Sequence, residues 1–368
     1  MNVTPAYSIK NPFTAKIERV ASLNKEGSTK TNYHVEISIE GSGIKYEVGS
    51  SFGFLPLNLT EEIDHIMTIL ATDKNFIVHP AKLDAEISIY DFFLKHVNVS
   101  RVTQKIALAC LPYQENNHLE TLMQEDWKGY CDQHDLVEFL AKFYFKQMPI
   151  QELVDVLSPM LPRFYSIASS QKVLGNRLLF LVADFSYKKG NKNYTSITAS
   201  HLLKYKTIRI FPQPNPSFCP PREDVPIIMV GPGTGLAAFL GFLQEQIVHN
   251  QRKNNVLFTG DRNEKVDFYY EDELKQYQKS GHLQLFTAFS RDSSRKIYVQ
   301  DRMWEERALL YDLIIFQKAH IYISGDADRM AKDVILMLEK ILTTHSSEEA
   351  HLAVRELKKQ KRLHMDVY

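Results

Sequence analysis

The chain has 368 residues, 44% of them hydrophobic and 24% charged, and its 44 basic residues are matched by 44 acidic ones. That composition suits two or three packed domains and excludes a disordered chain, while zero net charge excludes a global field that would draw nucleic acid or an acidic membrane. Cys110, Cys131 and Cys219 are scattered with no CxxC, which excludes a disulfide or zinc framework; MNVTPAYSIKNPF lacks an apolar leader, so a soluble cytoplasmic protein is expected.

The first sixty residues read as β. Tyr33 to Ile39 alternates, with Val35, Ile37 and Ile39 on one face; Gly41-Ser-Gly is a turn; Ile44 to Val48 is predicted as a short strand, and Pro56 closes another over Phe52 to Leu55. From Thr60 to Leu157 the period becomes helical, with Ile63, Ile66, Met67 and Leu70 on a first helix and further helices at Asp91–Lys95, Thr103–Ala109 and Leu136–Phe145. β character returns at Arg163, then at Leu178–Phe185 and Thr207–Phe211, and six prolines from Pro212 to Pro226 mark a connection between domains.

Beyond the prolines, strands and helices alternate. Strands are predicted at Ile227–Val230, Val256–Thr259, Leu283–Ala288 and Ile321–Ser324. The intervening helices are Gly235–Val248, Glu271–Gln278, Val299–Leu309 and Arg329–Leu342, and Ser346 to Glu349 has the pattern of a capping box. The alternation implies a parallel sheet with helices on both faces. Val225 to Leu243 carries no charge, but Gly231, Pro232, Gly233 and Gly235 interrupt it, so a buried strand, turn and helix are expected rather than a membrane span.

Gly231-Pro-Gly-Thr234-Gly235-Leu-Ala-Ala sits between a predicted strand and helix, where bare backbone and a helix N-terminus suit a pyrophosphate. A tight turn with no ligand is the bland alternative, and the missing Gly-Lys-Ser/Thr excludes a P-loop. Ser290 and Arg291, with Lys296, Tyr298 and Gln300 close behind, suit the 2′-phosphate of NADP; a solvated charged loop is the alternative. Asp261 alone would suit the ribose of NAD, but the phosphate-binding groups outweigh it.

Arg163-Phe-Tyr-Ser-Ile-Ala-Ser-Ser170 resembles the flavin signature of the ferredoxin–NADP reductase superfamily. The match extends to its diflavin branch, including cytochrome P450 reductase and the flavoprotein (alpha) subunit of NADPH-dependent sulfite reductase. Tyr46-Glu-Val-Gly, the Gly231 turn, Asp267–Leu274, Phe289–Asp292, Lys296–Arg302, Gly325–Asp333 and the terminal Asp-Val-Tyr match in order. The resemblance implies an α+β multidomain fold. An antiparallel FAD-binding β-barrel would span residues 1–60 and 156–222, a helical connecting insert 61–155, and a Rossmann-like NADP-binding α/β domain 223–368.

The resemblance also implies roles. Arg163, Tyr187, Ala199 and Ser200 would hold FAD; Tyr165 and Tyr368 would pack on the flavin. Ser166, Ser324 and Asp366 would surround hydride transfer. Gly231, Gly233, Thr234, Gly235, Ser290, Arg291, Lys296, Tyr298, Gln300 and Asp326 would hold NADPH.

Four departures from the family pattern stand out. Ser324 stands where a cysteine is usual. Ile197 replaces a glycine of the FAD phosphate loop and would be strained if that position needed positive φ. Ala238 and Leu240 replace a proline and an arginine, removing one cation expected near NADPH, and Ser50 replaces an aspartate.

No flavodoxin-like FMN segment stands ahead of the first strand in this sequence. Electrons are therefore expected to pass to a separate protein: a flavodoxin-like protein, a ferredoxin or a haem protein such as the sulfite reductase haemoprotein. Arg355, Lys358, Lys359, Lys361 and Arg362 form a basic cluster suited to an acidic carrier, or one solvated helix face. A non-catalytic binding or scaffolding remnant and an NADPH diaphorase acting on small molecules are the alternative functions.

Overall fold

The computed structural model describes residues 7–83, 85–189, 192–248, 254–344 and 350–368. The Ser346–Glu349 pattern lies outside them. The chain divides into two compact units, one of Met1–Gly53, Phe164–Asp184 and Ile210–Tyr368, the other of Phe54–Arg163 and Phe185–Arg209.

In the first unit the alternation around Val35 and Ile37 makes a strand with one buried face. Thr31–Ser38 pairs antiparallel with Phe13–Ser22 on one side and Arg177–Asp184 on the other. The six-stranded sheet runs Arg163–Ser166, Ser51–Leu55, Thr207–Gln213, Phe13–Ser22, Thr31–Ser38, Arg177–Asp184. Its first and last strands meet where Ile167 bridges Phe180 and the Ala168 N–H donates to Leu179 O at 2.8 Å, closing a barrel. Ile44 to Val48 is not a strand. The Gln171 amide takes up its backbone instead, donating to Ile44 O at 3.0 Å and accepting from Tyr46 N–H at 3.1 Å. A side chain 125 residues away in sequence thus replaces a neighbouring strand.

The same unit contains a wholly parallel sheet in the order Gln284–Phe289, Val256–Asp261, Ile227–Val230, His320–Gly325, Leu363–Val367. Ile227 and Met229 face a core shared with the helix Ala237–Val248; Ile228 and Val230 face a second core under Met330–Thr343. Apolar cover on both faces is what the unbroken hydrophobic strands required. The helix expected over Val299–Leu309 is two, Val299–Glu305 and Arg307–Ile315, hinged at Glu306. Val299 and Met303 before the hinge and Leu310, Leu313 and Ile314 after it enter one core, so the apolar stripe continues across the break.

The terminal strand Leu363–Val367 is not among the strands expected from the sequence. Arg362 sets its entry. Its guanidinium is buried and donates to Ile314 O and Ala319 O, so this member of the basic cluster is structural, while Arg355, Lys358, Lys359 and Lys361 are exposed.

The second unit packs helices around Ile63, Ile66, Phe93, Phe139 and Leu140, each fully buried. Buried His201 ties its chain segments together: Nδ1 accepts from Leu57 N–H at 2.9 Å and Nε2 donates to Thr207 O at 2.8 Å. Both nitrogens are committed to the neutral ring, and burial lowers the His201 pKa to about 4. Burial, with Arg209 and Lys95 behind it, also lowers His96 to about 4. Each ring is neutral in the folded unit, whereas the unfolded chain takes up protons from pH 6.5 downward. Their contribution is therefore complete above pH 6.5 and lost as pH falls towards 4, roughly 3 kcal/mol at full loss for the buried His201 and less for His96, whose partial exposure screens it. Urea unfolding between pH 7.5 and 4.5 should show this slope, and His96→Gln with His201→Asn should flatten it.

Candidate active site

The glycine turn has the backbone its sequence demands. Gly233 adopts φ +61°, the left-handed region that side chains disfavour. Gly235 is needed for closeness, since a Cβ there would lie 2.2 Å from the carbonyl oxygen of Ser324. The turn opens a short 3₁₀ segment, Gly233–Leu236, that runs into Ala237–Val248. Ala238 and Leu240 are fully buried in the core behind it. Position 240 therefore belongs to the core in this chain, and its leucine takes no cation from the turn.

Three strands end beside this turn. In the register of His320–Gly325 with Leu363–Val367, Ser324 is opposite Asp366. Ser166, the last residue of its barrel strand, donates from Oγ to Asp366 Oδ2 at 2.6 Å. Burial raises the Asp366 pKa above the ordinary carboxylate value, and the Ser166 hydrogen bond partly opposes that. Ser324 is 1% exposed and its hydroxyl has no hydrogen-bond partner among the described residues. A buried polar atom left unpaired at a strand end fits a position meant for a ligand.

Tyr368 does not fray. Its N–H donates to Gly325 O at 3.0 Å, its carbonyl accepts from Ala327 N–H at 3.1 Å, and its hydroxyl lies 3.0 Å from Thr234 Oγ1 in the turn. The residue is nevertheless 65% exposed, so its ring is anchored but open to a neighbour. Asp326 caps the helix Met330–Thr343: Oδ1 accepts from Arg329 N–H at 2.7 Å and Met330 N–H at 3.1 Å, which lowers its pKa.

Ser290 and Arg291 follow the strand Gln284–Phe289, and Lys296, Tyr298 and Gln300 lie on the loop and first turn of Val299–Glu305. Sequence reasoning missed two further cations here. Arg262 donates to Thr29 Oγ1 at 2.7 Å, and Arg291 reaches the same oxygen at 3.3 Å. Lys30 pairs with Asp261 beside Gly233. Both oxygens of Asp261 are engaged by Lys30, which removes it as a free acid for a ribose. No sequence pattern marks Thr29 or Lys30, because the hairpin carrying them meets these loops only through folding.

The remaining expected residues lie in other elements. Tyr165 is half-buried in the strand Arg163–Ser166. The Arg163 guanidinium donates to Leu161 O at 3.0 Å, and Tyr187 lies in the short strand Tyr187–Lys189. Ala199 and Ser200 sit in the first turn of Ile197–Lys204, their N–H groups given to Ser196 Oγ and Ser196 O. Ile197 opens that helix behind the Ser196 cap and is absent from the positive-φ residues, so the strain expected of it does not arise.

A pyrophosphate-type turn at the carboxyl ends of parallel strands, with cations around it, joins a barrel strand ending on a half-buried serine–carboxylate pair. Residues 5–199 match the FAD binding domain family, and residues 229–335 match the oxidoreductase NAD-binding domain. The chain belongs to the FAD binding domain family. The chain is 33% identical, over 99% of its length and 62% of the relative, to the sulfite reductase [NADPH] flavoprotein alpha-component of Bacillus subtilis. It is 32% identical over 98% of the chain to NADPH oxidoreductase A of Dictyostelium discoideum, covering 61% of that protein. With the NADPH–cytochrome P450 reductase of Drosophila melanogaster it shares 30% identity over 100% of the chain and 60% of the relative. The chain thus spans about three fifths of the length of these relatives. Among the described residues no helix is long and apolar enough to cross a membrane, and no group of three or more His, Cys, Asp or Glu residues is arranged to hold a metal ion.

Proposed function

We propose that this flavoprotein reductase takes hydride from NADPH onto FAD and hands the electrons to a separate protein acceptor, flavodoxin-like, ferredoxin or haem-containing. The contact between Ser166 and Asp366 carries the reading, because it joins the end of the flavin-signature strand to the strand end beside the phosphate turn. FAD, when bound, supplies an acceptor that takes two electrons together and releases them singly.

The chain's own residues do the positioning. Gly231, Gly233, Thr234 and Gly235 offer bare backbone to the pyrophosphate; Ser290, Arg291, Lys296, Tyr298 and Gln300 would receive the 2′-phosphate, and Asp326 would stay on the helix cap nearby. Arg163, Tyr187, Ala199 and Ser200 would hold the phosphate end of FAD, with Tyr165 and Tyr368 against its ring. Tyr368 leaves this place for the nicotinamide to enter. Asp366 would set a negative charge where the nicotinamide becomes positive, and Ser166, which gives its one hydroxyl proton to that carboxylate, would hold it in place. Ser324 offers its unpaired hydroxyl at the same place.

Purified protein supplied with FAD should absorb at roughly 450 nm, as oxidised flavins do, and bleach anaerobically with NADPH but not with NADH. Reoxidation by a flavodoxin-like or haem protein, faster than by small dyes, would support the acceptor. A protein that stays colourless with FAD would sink the proposal in favour of a binding subunit; equal turnover with dyes alone would leave a diaphorase.

A further inference from the structure

Lys30 and Asp261 form an ion pair against the wall of the phosphate turn. Lys30 Nζ lies 2.6 Å from Asp261 Oδ1 and 2.9 Å from Oδ2, and the Asp261 side chain is only 3% exposed. A methyl group built on Gly233 would lie 3.4 Å from Asp261 Oδ2 and 4.0 Å from Lys30 Nζ. Both charges thus abut the peptide that the glycine pattern leaves bare. An ammonium suits a phosphate site; a buried carboxylate opposes one.

We propose that Asp261 is a resident competitor of the dinucleotide pyrophosphate for Lys30, lowering the affinity for NADPH and NADP⁺ and hastening their release. The inference rests on reading this turn as the NADPH site.

Three features of the fold hold the carboxylate in that role. The Tyr269 hydroxyl donates to Asp261 Oδ2 at 3.0 Å. That hydroxyl accepts from Asn24 Nδ2 at 3.0 Å and Asn32 Nδ2 at 2.6 Å, so both its lone pairs are filled and its proton is committed to the carboxylate. Burial first, and the Asp261 charge after it, keep this phenol protonated above its ordinary range.

The backbone cannot retreat. Asp261 is the last residue of its strand, in register with Phe289, and its carbonyl accepts from both Ser290 N–H at 3.0 Å and Ser290 Oγ at 3.3 Å. Finally, the carboxylate engages Lys30 with both oxygens, so an arriving pyrophosphate meets a neutral pair and a like charge at short range. There the field is weakly screened, and a difference of about tenfold to a hundredfold in affinity follows.

The test compares NADP⁺ with 2′-AMP, which has the adenosine 2′-phosphate and no pyrophosphate, by calorimetry on the full chain supplied with FAD. Asp261→Asn keeps an acceptor for Lys30 and Tyr269 but removes the charge. It should tighten NADP⁺ by about tenfold or more, leave 2′-AMP unchanged, and steepen the loss of NADP⁺ affinity with salt. Lys30→Met should weaken NADP⁺, and Asp261→Asn added to it should recover part of the loss. If Asp261→Asn weakens NADP⁺ or leaves it unchanged while the wild type binds both ligands, the carboxylate only positions the lysine and the inference is wrong. If the wild type binds neither ligand, the reading of the turn as an NADPH site has failed and the inference goes with it. Should Asp261→Asn not fold, Asp261→Ser is read in the same way.

Discussion

Replacing Asp366 with asparagine should slow bleaching of the flavin by NADPH on the order of 100-fold and, at the same time, make the protein harder to unfold at neutral pH. The two effects share one cause. Asp366 is held in a place where its charge is poorly solvated, and burial raises its pKa above the ordinary 3.8. A carboxyl group whose folded pKa exceeds its unfolded value stabilises the fold fully below pH 3.8 and loses that contribution as pH rises through the folded value. At neutral pH the ionised group is therefore a cost to the fold, and asparagine, which still accepts from Ser166 Oγ, removes it.

The same buried charge is what a nicotinamide ring needs as it becomes positive, so losing it falls on the rate. Stopped-flow bleaching beside thermal melts at pH 7 and pH 3.5 checks both halves: the stability gain should be present at pH 7 and vanish at pH 3.5. Unchanged bleaching would remove Asp366 from the reaction. Ser166→Ala serves as a companion, because it takes away the partner and keeps the charge.

Gly235→Ala should destabilise the protein by about 3 kcal/mol and raise the dissociation constant for NADP⁺ by more than tenfold. A Cβ at this position would lie 2.2 Å from the oxygen and 2.8 Å from the carbon of the Ser324 carbonyl. Those are backbone atoms of a buried inner strand of the parallel sheet, with hydrogen-bonded neighbours on both sides, so neither the turn nor the strand can yield cheaply. Whatever shifts carries Thr234 with it, and with Thr234 the hydroxyl contact to Tyr368. Gly281→Ala is the control. That glycine has φ +77° and open space around it, so alanine there should cost only about 1 kcal/mol of local strain and leave NADP⁺ binding alone. Chemical denaturation and calorimetry on the two variants make the comparison.

Much of this protein was legible before folding. Val35 and Ile37 show their strand because burial of one face imposes a period of two, and Ile63, Ile66, Met67 and Leu70 show their helix by the period of 3.6. The glycine turn is visible because Gly233 answers a local backbone need, and the Arg163–Ser170 signature is visible because its residues are contiguous.

The tertiary structure alone decided the rest, and in each case the partner is distant along the chain. Gln171 replaces a strand for Ile44 to Val48, which no local period reveals. The break at Glu306 leaves the apolar stripe intact, so periodicity passes over it. Arg362 reads as a surface charge until the carbonyls of Ile314 and Ala319 surround it. The pairing of Ser166 with Asp366 spans 200 residues and that of Lys30 with Asp261 spans 231. Sequence carries propensity and pattern, which act between neighbours; hydrogen bonds and ion pairs between remote residues exist only once packing has fixed both ends, and the candidate site is built chiefly from those.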